Sequence, residues 1–99
     1  SKRILVLGDM HELGDKTKSE HIKLGNIINK SNIDAVFGIG EHIQYTLDVI
    51  KVKKIFKKHF KSKKELIIEL KNHSTSNDVI YVKGSRSMKM EEIIYNEEK

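Results

Sequence analysis

The 99-residue sequence has no cysteine and no proline, and only two of its 19 basic residues are arginine. Without cysteine there is no disulfide, no thiolate metal ligand and no thiol nucleophile, a composition that fits a reducing compartment. No apolar run approaches the ~20 residues that a membrane-spanning helix needs. The opening Ser1-Lys2-Arg3-Ile4-Leu5-Val6 lacks the apolar core and small-residue cleavage site of a signal peptide. A cytoplasmic protein without a membrane span is therefore expected. Also missing are the phosphate loop GxxxxGK followed by Ser or Thr, the metal-binding HExxH and the nucleophile elbow GxSxG. The chain brings no complete catalytic apparatus of its own. What is present, 37% hydrophobic and 33% charged residues in 11.5 kDa, predicts one globular domain over 1–99.

The formal net charge of +5 is very unevenly placed. Between Lys51 and Lys64 there are eight lysines and no acid, which leaves 11 basic against 14 acidic residues elsewhere. That segment is Lys rather than Arg, with only Phe56, His59 and Phe60 interleaved. Base recognition favours Arg forks and stacked aromatics, so a solvated lysine face is the expectation and nucleic acid is not an expected partner. In a chain that defaults to lysine, Arg86 is the basic residue that asks for a reason.

Apolar periodicity alternates between strand and helix with no internal repeat or low-complexity linker, which means α/β. Strand one is Arg3 to Gly8, a continuous apolar run suited to burial on both faces of a parallel sheet. After a polar loop, Thr17-Lys18-Ser19-Glu20 has capping-box spacing and opens a helix whose His21, Leu24, Gly25 and Ile28 share one face. Gly25 on that face predicts close packing on the sheet. Strand two is Ala35 to Ile39, leading at Gly40-Glu41 into a helix with Ile43, Leu47 and Ile50 inward. Lys54 to Phe60 reads as a short edge strand guarded by its charges. Ser62-Lys63-Lys64-Glu65 is a second capping box, before a helix with Leu66, Ile67 and Leu70 inward, and Asn72 to Asn77 is a loop. Strand four is Asp78 to Lys83, turning at Gly84-Ser85 into a final helix with Met90, Ile93 and Ile94. Four such units under the right-handed crossover rule give a Rossmann-like three-layer domain with a mainly parallel sheet in the order 3-2-1-4. Strands one and four are then neighbours across the switch point, where open parallel sheets bind ligands.

Two segments meet there. Lys83-Gly84-Ser85-Arg86 places a cation, a flexible turn, a hydroxyl and a guanidinium at a helix start, which suits a phosphate or carboxylate. It equally suits a plain strand-to-helix turn with Ser85 or Ser87 as cap and Arg86 paired to Glu91 or Glu92. Asp9 and Glu12 offer two carboxylates and His11 an imidazole, fit to orient an amine, a ribose or a hydrated magnesium ion, or else to cap their own turn. His21 lies on the inner stripe close to this loop, as a packing residue or as part of the site. Gly38-Ile39-Gly40 is only a fragment of a dinucleotide fingerprint and follows the wrong strand.

Taken together, Leu7-Gly8-Asp9-Met10-His11-Glu12-Leu13-Gly14, His21 with Gly25, Gly40-Glu41, and the run from Val82 to Glu91 (VKGSRSMKME) resemble the carboxy-terminal domain of the Mur ligases. The resemblance covers essentially the whole chain in order and spacing. It implies the closing domain of an ATP- and magnesium-dependent, amide-forming enzyme of cytoplasmic peptidoglycan precursor synthesis. Within the family the motifs point to the branch that joins D-alanyl-D-alanine to UDP-N-acetylmuramoyl-tripeptide. The amino-terminal and central ATPase domains, and the YNANP-like hinge, would lie outside this chain and be its partners. No tightly bound cofactor or metal and no oligomer is expected of this domain alone. The resemblance further implies that Lys83, Gly84, Ser85 and Arg86 face the nucleotide or acyl phosphate, and that Asp9, Glu12 and His21 shape the side receiving the dipeptide amine. The rival readings are a free-standing Rossmann-like anion- or nucleotide-binding module, a lysine-rich module for nucleic acid or anionic membranes, and a sibling ligase of the folylpolyglutamate or cyanophycin type.

Overall fold

In the computed structural model the structure describes residues 1–85 and 88–90. Four strands, β1 (Arg3–Gly8), β2 (Ala35–Ile39), β3 (Phe56–Phe60) and β4 (Val79–Lys83), alternate with three helices, α1 (Thr17–Asn29), α2 (Ile43–Val49) and α3 (Lys63–His73). All strand pairs are parallel and the sheet order is β3-β2-β1-β4. The register sets Ile4 beside Ala35 and Ile80, and Val6 beside Phe37 and Val82.

Because side chains alternate along a strand, the two central strands feed two cores. Ile4, Val6, Ala35 and Phe37 face one layer, where Phe60 and the α3 residues Leu66 and Leu70 are buried with them. Leu5, Leu7 and Val36 face the other, against Ile28 of α1 and Ile43 and Leu47 of α2. Right-handed crossovers explain the division: β1 to β2 to β3 steps one way across the sheet, and the return from β3 to β4 puts α3 on the opposite face. The three-layer arrangement and strand order expected from the sequence are those observed.

Local details differ. The box expected at Thr17 is not made. A 3-10 turn (Gly14–Lys16) runs straight into α1, so the N-cap is Lys16, without a side-chain cap bond. Thr17 is already helical and its hydroxyl donates to Gly14 O at 2.7 Å. Ser62 does cap α3, accepting from Glu65 N–H at 3.2 Å, because it keeps the extended conformation that an N-cap needs. Gly25 packs against α2 rather than the sheet: a Cβ there would lie 2.5 Å from Thr46 O. The second helix starts at Ile43 instead of Gly40, and Ile50 is its buried, extended C-cap. The third strand begins at Phe56, the fourth at Val79, and Asn72 and His73 belong to α3 rather than the following loop. Lys57 also departs from the solvated lysine face, since its ammonium donates to Leu47 O at 2.7 Å and Ile50 O at 2.8 Å, at the carboxyl end of α2. Of the expected final helix, Met90 is buried in the α3-side core, while Ile93 and Ile94 lie outside the described residues.

Candidate functional site

At the carboxyl ends of β1 and β4 an open cleft of about 700 Å³ lies between the loop after β1, the turn after β4 and the side of α1. Leu7, Met10 and Leu24 contribute apolar wall, and Lys83, Gly84 and Ser85 line the other side. Its floor depends on close approach. A Cβ on Gly84 would come within 2.6 Å of Met90 Cγ and 3.3 Å of Gly8 Cα, and one on Gly8 within 2.7 Å of Met90 Sδ. The two glycines let β1 and β4 end against each other with Met90 laid across them.

The two loops are stitched together. Ser85 N–H donates to Asp9 O at 3.1 Å, and His11 N–H donates to Ser85 Oγ at 2.6 Å. Ser85 therefore uses its amide and an oxygen lone pair inside the fold, keeping its own hydroxyl proton as a donor. Lys83 is exposed at the end of β4, beside Leu7 in the sheet register. Arg86, with Ser87, Glu91 and Glu92, lies outside the described residues.

Asp9 does not cap its own turn. Only 4% exposed, it accepts from Ile43 N–H at 2.8 Å and His42 N–H at 3.1 Å, closing the start of α2 some 34 residues away. Gly40 makes room for this: its φ is +119°, and a Cβ there would lie 2.6 Å from the Asp9 carboxyl carbon. Two imidazoles flank the same carboxylate, with His42 Nδ1 at 3.5 Å and His11 Nε2 at 3.9 Å from Oδ2. Glu12 is exposed on the loop and holds a left-handed φ of 63°. His21 is fully buried, with both ring nitrogens placed against backbone groups at Met10 and Thr17.

Of the residues singled out from the sequence, Lys83, Gly84 and Ser85 line the switch-point cleft, whereas Asp9 is turned onto α2, His21 is buried behind the loop after β1 and Glu12 is exposed on that loop, and none of these three lines it. Among the described residues no three His, Asp or Glu side chains converge as a metal site. Nor do these carboxylates suit magnesium: both Asp9 oxygens are engaged by backbone amides, leaving only Glu12 exposed. The contributions of Met10, Leu24, His42 and Met90 were not singled out as site residues from the sequence. Of these only Met90 has a signal in the sequence, the glycines at 8 and 84 that mark where its side chain comes close.

The family model for the glutamate ligase domain of the Mur ligases matches residues 1–86. The chain is 38% identical over 97 residues to the UDP-N-acetylmuramoyl-tripeptide--D-alanyl-D-alanine ligase of Bacillus subtilis, covering 94% of this chain and 21% of the relative. It is 42% identical over 96 residues to the enzyme of the same name from Buchnera aphidicola of Acyrthosiphon pisum, covering 93% and 20%. Among solved structures it is similar to MurF from Acinetobacter baumannii, with a TM-score of 0.83 and 28% identity, covering 99% of this chain and 22% of that one. It is also similar to MurF ligase from Thermotoga maritima in complex with ADP, with a TM-score of 0.79 and 27% identity, covering the same shares. The chain spans about a fifth of the length of these relatives.

Proposed function

The chain belongs to the Mur ligase family, as its glutamate ligase domain, and on that footing we propose that it is the closing domain of the cytoplasmic ligase that adds D-alanyl-D-alanine to UDP-N-acetylmuramoyl-tripeptide. The observation that carries the reading is the switch-point cleft, which lies between the loop after β1 and the turn after β4, two segments that carry motifs of the family resemblance and are stitched through Ser85. In the whole enzyme ATP phosphorylates the tripeptide carboxylate. The free amine of the dipeptide attacks the resulting acyl phosphate, an amide forms and inorganic phosphate leaves. The phosphate-binding loop and the magnesium ion belong to the part of the enzyme outside this chain.

Lys83, Gly84 and Ser85 form the wall toward the nucleotide and acyl phosphate, and the family resemblance assigns Arg86 to the same role; a fixed cation there stabilises charge developing on the phosphoryl oxygens. Asp9, Glu12 and His21 shape the wall that receives the dipeptide. The apolar surface of Leu7, Met10 and Leu24 suits the small methyl-bearing backbone of that substrate. Closure of such a domain positions the reactants and excludes water, and it acts as a monomer with the amino-terminal and central domains as its partners.

The test is an exchange of domains. Placed behind the amino-terminal and central domains of the Bacillus subtilis ligase, this chain should restore phosphate release that depends on D-alanyl-D-alanine. Within that hybrid, Arg86→Lys should lower turnover by roughly one to two decades if the guanidinium grips substrate oxygens. A folded hybrid with no dipeptide-dependent turnover, together with low-micromolar binding of magnesium-ATP to the isolated chain, would replace this reading with a free-standing nucleotide-binding module.

A further inference from the structure

Three successive residues of the loop after β1 are held from alternating sides. The turn after β4 takes Asp9 O through Ser85 N–H and His11 N–H through Ser85 Oγ. Between them, Met10 N–H donates at 3.1 Å to His21 Nε2, a group on α1. The chemistry of that ring is fixed by its other nitrogen. His21 Nδ1 lies 2.6 Å from Thr17 O, and a carbonyl oxygen only accepts, so Nδ1 carries the proton and Nε2 is left with a lone pair. His21 is thus the neutral Nδ1–H tautomer, 0% exposed, with its own carbonyl tied to Thr46 Oγ1 of α2 at 2.7 Å. The ring of His42 stands 5.9 Å away.

The residues beyond this hold are the ones that need it. Glu12 has a φ of 63° and Gly14 a φ of 58°, so two left-handed residues follow within four positions of Met10. For a residue with a Cβ that conformation persists only where the surroundings over-determine it. A fully buried imidazole cannot meet a ligand in the cleft, yet it determines where the loop that lines the cleft begins its turn.

We propose that His21 is a positioning residue for the ligase reaction: by accepting the Met10 N–H it sets the loop from Asp9 to Gly14 so that Met10 is presented to the cleft, without touching substrate. The kinetic half rests on the cleft being the substrate-facing one; the structural half stands without it.

Three substitutions separate the possibilities. His21→Phe keeps a ring and deletes the acceptor, His21→Asn keeps a donor near Thr17 O but falls short of Met10, and His21→Gln returns an acceptor at the ε position. In the 99-residue chain, NMR hydrogen exchange at the Met10 amide should be about tenfold faster in the Phe variant, with core amides of β1 and β2 unchanged. The Gln variant should stay within about threefold of the parent, since one hydrogen bond is kept. In the hybrid ligase the KM for D-alanyl-D-alanine should rise about tenfold for Phe, with kcat falling less, and Gln should recover most of it. If the Phe variant does not fold, the Asn variant takes its place against Gln. Parental Met10 exchange in a folded Phe or Asn variant overturns the latch, whatever the domain's function. Faster exchange with unchanged KM overturns the positioning role and locates the failure in the substrate-facing reading instead.

Discussion

The two edge strands, equal in length at five residues, are finished in opposite ways. On β3 nearly every polar head has been given work inside the domain: Lys57 caps the end of α2, Lys58 pairs with Glu69 at 2.9 Å, and His59 Nε2 meets Gly40 O at 2.6 Å. Phe56, though 38% exposed, stacks on His73 with ring centroids 4.7 Å apart. On β4 only one face is finished. Ile80 and Val82 pack into the α3-side core, while Val79 and Tyr81, in register with Arg3 and Leu5, are 46% and 45% exposed. Ile27 of α1 is 57% exposed. A strand edge can be protected by long charged side chains that lie along it, or by apolar residues that need a covering element. β3 uses the first device, and the described residues do not complete the second for β4.

The largest test of that contrast compares one aromatic from each strand. Phe60→Ala, which removes a 4% exposed ring from the core, should cost about 3–5 kcal/mol in urea unfolding, whereas Tyr81→Ala should cost under about 1 kcal/mol. Equal losses would mean that the β4 face is as well packed as the β3 anchor. Next is Lys57→Met, which keeps the stem and deletes the ammonium from two carbonyls; a loss of about 1 kcal/mol is expected, lessened by the exposure of the lysine. A comparable loss of about 1 kcal/mol is expected for Ser62→Ala at the start of α3, against no more than about 0.5 kcal/mol for Thr17→Ala, whose hydroxyl caps no helix amide.

The smallest effect concerns Asp78 at the foot of β4. Hydrogen bonds from Lys2 N–H and Thr75 N–H hold its carboxyl below the ordinary value of 3.8. A lowered folded pKa means that the contribution is fully present above 3.8 and is lost as pH falls through the folded value. The stability difference between the parent and Asp78→Asn should therefore be constant at neutral pH and shrink in acid melts. A difference that grows on acidification would reverse the sign of the linkage.

Much of this organisation was legible in the residues. The continuous run Ile4-Leu5-Val6-Leu7 is of the kind that is buried on both faces of a parallel sheet, and the count of strand-helix units with fixed crossover hand leads to the observed order. Ser62 was legible because an N-cap is a local device. Thr17 misled because the same spacing is overridden when a 3-10 turn removes the extended residue before it. Gly25 was correctly placed inward, but which neighbour it meets depends on α2, whose position no local pattern encodes. Asp9 was the hardest residue to read: the two amides that donate to its carboxylate lie 33 and 34 positions onward, so its cap is a property of the folded sheet.

That same carboxylate gives the domain a mechanical unity. The seven residues of α2 are too few to remain helical by themselves in water. One end is fastened by an anion from the loop after β1, the other by a cation from β3, each complementing the helix dipole. A disturbance that frees Asp9 releases the first turn of α2, and with it the carbonyls against which Lys57 steadies the β3 edge. The cleft and the far edge of the sheet should consequently soften at the same temperature, and amide exchange along α2 should report on the loop after β1 before any helix unwinds elsewhere.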